Sequence, residues 1–218
     1  IAGSPQRLPQ VIKALRKERP HLNRRRRRGI RGRHLKAAWD KAPSMRVRTP
    51  KAANGIAAAS TAWQALARGG EIAIDDRVSG ARKAAATQAI PSRADLTFGA
   101  DPKAGRYAQV MIRPIKKKGG RPGEKVPIII AEGDGSGNDT FMHLKNLVEI
   151  DPVPDAKKAS TPLFRIGQEP MRINDVRRLA KKIMKAAGQA GAPVGAHSFR
   201  IGGATDLADR GASPLLLQ

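Results

Sequence analysis

The stretch Ala196-His197-Ser198-Phe199-Arg200-Ile201-Gly202-Gly203-Ala204-Thr205 places the tightest constraint on how this chain folds. His197 and Arg200 stand three residues apart, so on a helix they share a face, one turn above the other. At the helical period Ile201, Ala204 and Ala208 fall on that face too. Both polar groups are therefore expected to point inward, or into a cleft at the domain's edge. An arginine on an apolar stripe is costly unless an anion meets it. That anion is either a carboxylate of the protein or the phosphate of a ligand. The helix is expected to begin near Ala196-His197, and its first-turn N–H groups and dipole add to the attraction for an anion. A structural ion pair satisfies an H-x-x-R spacing equally well, so the rest of the chain has to decide.

Charge argues for a phosphate. The 218 residues carry 42 Lys+Arg against 18 Asp+Glu, a formal net charge of +24. That self-repulsion is best relieved by a polyanionic partner, with nucleic acid ahead of an anionic membrane surface. Aromatic residues make up 3% of the chain, too few for a single-strand binder built on stacking platforms. Contacts to the phosphates of a duplex fit the composition better. Without cysteine, disulfides and thiolate metal sites are excluded. No apolar run of about 18 residues exists, so no membrane span is expected, and the N-terminus has no signal-peptide pattern.

Residues 1–29 read as a basic lead-in that follows from a preceding unit, and residues 30–218 as the domain proper. The run Arg24, Arg25, Arg26, Arg27 and Arg28, with Arg31 and Arg33 beyond Gly29, is expected to act as a strap on a DNA backbone. Helices are expected at Leu35–Asp40, anchored by Trp39, and at Ala52–Ala67, where Ile56, Ala59, Trp63, Leu66 and Ala67 form one apolar stripe. Arg68 follows, and Gly69-Gly70 stops the helix. A polar stretch runs on to Pro91. Strands are then expected at 94–98, 107–115 and 125–131, rich in Val and Ile toward the end. Lys116, Lys117, Lys118 and Arg121 occupy the glycine-rich loop between the last two strands. Asp134-x-Ser136-x-Asn138 resembles the start of a calcium loop, but Lys145 stands where the closing carboxylate belongs, so no metal is expected. Further helices are expected at 142–150, at 175–187 with Asn174 as its N-cap, and from His197 to Gly211. Ser213-Pro214 reads as the start of another.

In this order and spacing the motifs resemble the catalytic domain of tyrosine recombinases of the phage-integrase type. The resemblance rests on Ala67-Arg68-Gly69-Gly70-Glu71-Ile72, on Ile112-Arg113-Pro114-Ile115-Lys116 at a hairpin tip, and on His197-Ser198-Phe199-Arg200 with Gly202, Ala204, Thr205 and Gly211 behind it. Pro162-Leu163-Phe164 and the helix at Asp175 also fall where the family has comparable segments. It implies an α+β, mainly α, integrase-like domain with a small three-stranded antiparallel sheet, and residues 1–29 as the tail of a preceding DNA-clamping domain. Bacterial members usually carry a second histidine after the box arginine. Ile201 at that place points instead to recombinases of eukaryotic mobile elements. The stretch between Glu71 and Asp95 is longer than the family norm.

The resemblance further implies DNA recombination or integration by strand cleavage and rejoining through a 3′-phosphotyrosyl link, with no cofactor. Arg68 and Arg200 would bind the phosphate. Lys116, the best placed of the three lysines, would protonate the leaving 5′-oxygen, and His197 would assist proton transfer. The one tyrosine, Tyr107, begins the second strand and is expected to be a sheet or core residue. The nucleophile is therefore expected beyond Gln218. Double-stranded DNA and a synaptic dimer or tetramer are the implied partners, located in the nucleus of a eukaryote or the cytoplasm or nucleoid otherwise. The competing readings are a non-catalytic basic nucleic-acid-binding protein and a type IB topoisomerase-like enzyme.

Overall fold

An alanine-rich helix, α2 (Pro50–Gln64), is the axis on which the other elements pack. Thr49 caps it by accepting from the Ala52 N–H, and Pro50 occupies a first-turn position whose N–H would lack a partner anyway. The expected single stripe is too narrow a description. Ala53, Asn54 and every residue from Ile56 to Trp63 are buried, because small side chains let neighbours close in on all sides. The helix is also shorter than expected. Leu66 takes a left-handed backbone (φ 49°), which ends the helical path three residues before Gly69. The computed structural model of the protein describes residues 27–41, 49–113, 124–133 and 137–212.

Around this axis the chain adds α1 (Gly32–Lys41), α3 (Gly69–Ile72) and α4 (Gly80–Ala89). Then come strands β1 (Leu96–Asp101), β2 (Gly105–Ile112) and β3 (Val126–Ala131). Helices α5 (Thr140–Ile150) and α6 (Asp155–Lys158), the short strands β4 (Arg165–Ile166) and β5 (Glu169–Pro170), and helices α7 (Ile173–Ala186) and α8 (Ser198–Asp209) follow. The three long strands form an antiparallel sheet in the order β1-β2-β3, with Leu96 opposite Val110 and Ala108 opposite Ile130. Helix α2 packs on α5, α7 and α8, while α1 lies on α7. The core runs continuously from Ile30 and Leu35 through Trp63 to Phe164 and Phe199. No helix among the described residues is long and apolar enough to cross a membrane.

Several boundaries differ from expectation for visible reasons. The first strand starts at Leu96 because Arg93–Asp95 is a 3-10 turn, with the Asp95 carboxylate accepting from the Ser92 N–H and hydroxyl. Asn174 is not the cap of α7. Arg172 holds that position, Asp175 accepts its N–H, and Asp76 from a distant loop accepts the N–H of Asn174. Helix α4 has no buried residue, so the apolar pattern gave no sign of it. Asn138, in the stretch weighed as a calcium loop, is fully buried and accepts from the Trp39 indole and the Ser60 hydroxyl.

Glycine sets the position of α8. A Cβ on Gly202 would fall 1.8 Å from the Ile30 carbonyl oxygen, and one on Gly203 would fall 2.2 Å from that of Trp63. Both obstacles are backbone, so neither yields cheaply. Gly202→Ala is expected to lower stability by about 3 kcal/mol, at the upper end of ordinary overpacking costs. Gly55, inside α2, has only the Leu179 side chain at 3.9 Å from a Cβ. Gly55→Ala is therefore expected to stabilise by about 0.5–1 kcal/mol. Urea unfolding of the two variants beside the parent checks both signs.

His143 on α5 meets the edge of Trp39, with ring centroids 5.7 Å apart, and its buried Nε2 has no hydrogen-bond partner among the described residues. Burial pulls its imidazole down to about 4. The fold thus holds the ring neutral where the unfolded chain would take up a proton, so stability falls as pH drops from about 6.5 toward 4. The loss attributable to this ring is about 3 kcal/mol. Buried His34 is displaced in the same direction, by burial and then by Arg33, Arg28 and Arg31. Urea midpoints between pH 7 and 4 should decline, and His143→Leu should flatten that decline.

Candidate active site

The α2–α3 turn and the start of α8 meet through small residues. A Cβ on Gly69 would lie 2.9 Å from the Cβ of Ala196, so the residue after Arg68 abuts the residue before His197. Arg200 reaches back across this contact and donates from Nη1 to the Leu66 carbonyl at 2.6 Å. That carbonyl belongs to Leu66, the residue with the left-handed backbone. One donor of Arg200 is thereby fixed, and its half-buried guanidinium retains four more.

Arg68 is held differently. It is the N-cap of α3, and Glu71 accepts both from its backbone N–H (2.7 Å) and from its Nη1 (3.1 Å). Glu71 is buried and the Arg68 side chain is 36% exposed, so the carboxylate anchors the arginine while part of the fork faces solvent. Arg68 therefore begins a short helix and does not serve as the C-terminal cap of α2. Glu71 is the buried carboxylate of this corner, and the R-x-x-E spacing was its signal in the sequence.

His197, the N-cap residue of α8, is exposed. Partial desolvation, and then the guanidiniums of Arg200, Arg27 and Arg68, hold its imidazole below the ordinary histidine value. Three positive groups therefore surround a ring that is mostly neutral at neutral pH. The expectation about the face of α8 needs correction. Its buried residues are Ser198, Phe199, Gly202 and Gly203, whereas Arg200, Ile201 and Ala204 are half-buried and Ala208 is exposed. Periodicity pointed elsewhere because glycines carry no side chain to plot, yet they mark the closest backbone approach.

Among the other predicted residues, Arg27, Arg28 and Arg33 are exposed. Arg31 pairs with Asp206 and Asp209. Asp206 also accepts from the Gly32 N–H (2.7 Å) and the Trp63 indole (3.0 Å), joining α8 to α1 and α2. Sequence reasoning missed Asp206, which gave no signal beyond its place in the box helix. Tyr107 is a β2 residue opposite Gly99, with its ring where a Cβ on Gly99 would lie, 2.6 Å away. It is part of the sheet. Arg24, Arg25, Arg26, Lys116, Lys117, Lys118 and Arg121 lie outside the described residues, as does Ser213-Pro214. The hairpin that would carry the lysines is present, with β2 and β3 paired from Tyr107–Ala131 to Ile112–Val126.

Two solved structures match the fold of this chain over most of its length. One is a XerH site-specific recombinase bound to difH substrate in a pre-cleavage complex, with TM-score 0.53 and 15% identity over 87% of this chain. The other is a XerH site-specific recombinase bound to palindromic difH substrate in a post-cleavage complex, with TM-score 0.55 and 14% identity over 88% of the chain. The chain has the fold of a tyrosine recombinase catalytic domain. It spans 45% of the length of each of those recombinases. No family model matches the chain, and no curated protein is significantly similar to it.

Proposed function

We propose that this tyrosine-recombinase fold serves site-specific DNA recombination or integration, and that Arg68, His197 and Arg200 form its phosphate-binding active site. The supporting observation is the meeting of the Arg68 turn with the start of α8, where Arg200 is tied to the Leu66 carbonyl and Arg68 to Glu71. Displacement at a DNA phosphodiester puts extra negative charge on the non-bridging oxygens of a crowded phosphorus. Two always-charged planar guanidiniums, each partly fixed beforehand, stabilise that charge at little reorganisation cost. The largely neutral imidazole of His197 accepts the proton of the attacking hydroxyl, and a hairpin lysine, Lys116 by spacing, gives one to the departing 5′-oxygen. The nucleophile is a tyrosine from outside these residues, which forms a 3′-phosphotyrosyl link that stores the bond for rejoining. The partner is double-stranded DNA, gripped across its backbone by the basic lead-in, and strand exchange takes place in a synaptic multimer of mobile-element type.

Adduct formation on a nicked duplex is the test. The 218-residue chain is expected to form no covalent protein–DNA complex. A longer protein containing it and the tyrosine should trap one, at that tyrosine. An adduct on Tyr107 would overturn the assignment, and a longer protein that binds duplex but never forms an adduct would leave a DNA-binding module.

A further inference from the structure

We infer that Arg27 is a fourth cation of this site, holding a phosphate oxygen beside Arg68 and Arg200 and standing apart from the general run of backbone-gripping arginines. The inference rests on the reading of the site as a phosphate site. Residues 27–30 lie along the segment that leads into α8, with the Arg28 N–H donating to the Pro193 carbonyl (2.9 Å) and the Ile30 N–H to that of Ser198 (2.8 Å). This seat leaves no slack. A Cβ on Gly29 would lie 2.9 Å from the Gly202 nitrogen, and one on Gly202 would meet the Ile30 carbonyl. Residues 28–30 are therefore keyed to the same helix that carries Arg200.

From this seat Arg27 extends over Gly195, two residues before His197. A Cβ at Gly195 would stand 3.8 Å from both its Cζ and its Nε. Exposed, and paired with no carboxylate among the described residues, Arg27 has its charge available to an outside anion. Arg28 makes the contrast. Arg27 helps to hold the imidazole of His197 below the ordinary value, and Arg28 that of His34. Of the two, Arg27 is the one whose guanidinium lies against the Gly195 position.

The test uses the 218-residue chain and inorganic phosphate at fixed pH and ionic strength. Binding is followed through the imidazole Hε1 resonance of His197, assigned by its loss in His197→Gln. Phosphate is expected to shift that resonance saturably. Arg27→Gln, which keeps most of the stem over Gly195, should weaken binding about tenfold, as expected for a lost charge-assisted contact. Arg27→Lys should recover part of the affinity, and Arg28→Gln should change it less than twofold. If Arg27→Gln binds like the parent while Arg200→Ala loses phosphate, Arg27 is not part of the site although the site stands. If phosphate leaves His197 of the parent unmoved, or Arg200→Ala binds as well as the parent, the phosphate reading itself fails and this inference with it.

Discussion

Arg200→Lys is expected to slow single-turnover DNA cleavage by about 10²–10³-fold in a cleavage-competent protein that contains this chain. The magnitude is that of removing one preorganised donor from a developing oxyanion. Lysine keeps the charge, so duplex affinity should stay within about twofold, since the salt-dependent part of binding counts charges and not forks. Lysine loses geometry. Arg200 spends one N–H on the Leu66 carbonyl and keeps four more donors in the same plane, and a single ammonium cannot make that division. Quenched-flow cleavage of a nicked duplex measures the effect, with gel-shift titration as the binding control. A lysine variant that cleaves at the parent rate would mean that the guanidinium plane does not meet the reacting phosphate.

The second large effect concerns a buried cluster whose residues have no part in the proposed chemistry. Asp151, just after α5, accepts from Arg93 Nη2 (2.7 Å), Arg165 Nη2 (2.6 Å) and Asn54 Nδ2 (2.8 Å). Arg93 also donates to the carbonyls of Asp151 and Leu163. The group thus ties the entry to the sheet to α2, α5 and β4. Asp151→Ala would leave two guanidiniums without their carboxylate, Arg93 being 4% exposed, and should cost about 3–5 kcal/mol. Burial alone would raise the Asp151 carboxyl, but hydrogen bonds from Arg165 and Asn54 and the charges of Arg93 and Arg165 bring it below the ordinary value. Its contribution is therefore present above the unfolded value near ~3.9 and is lost as pH falls through the lower folded one. Urea midpoints of Asp151→Ala at pH 7 report the cost directly. A loss under about 1 kcal/mol would show that the cluster relaxes or admits water.

Much of the architecture was legible because periodicity records burial. The apolar repeat placed α2 and α7 to within a few residues, and the Val- and Ile-rich runs placed the sheet. What escaped lies where position is set by something other than apolar side chains. Helix α4 buries nothing and so left no pattern. Gly202 and Gly203 fix α8 through backbone contact, and its inner face, through Ser198, Phe199, Gly202 and Gly203, lies nearly opposite the face drawn through His197 and Ala208. At the site the sequence supplied Arg68, His197 and Arg200 but not what holds them. The Leu66 carbonyl is a backbone group in an unusual conformation, invisible to residue-type reasoning. Asp206 read as one more polar residue of a helix, although it collects Arg31, Gly32 and Trp63.

The central claim is that the turn bearing Arg68 and the start of α8 together receive one DNA phosphate. A crystal structure of the chain bound to duplex DNA tests it most directly. The account predicts a single phosphate whose non-bridging oxygens lie within hydrogen-bonding distance of both Arg68 and Arg200, with His197 beside it. A duplex bound elsewhere on the basic surface, with Arg68 and Arg200 facing solvent, would contradict it.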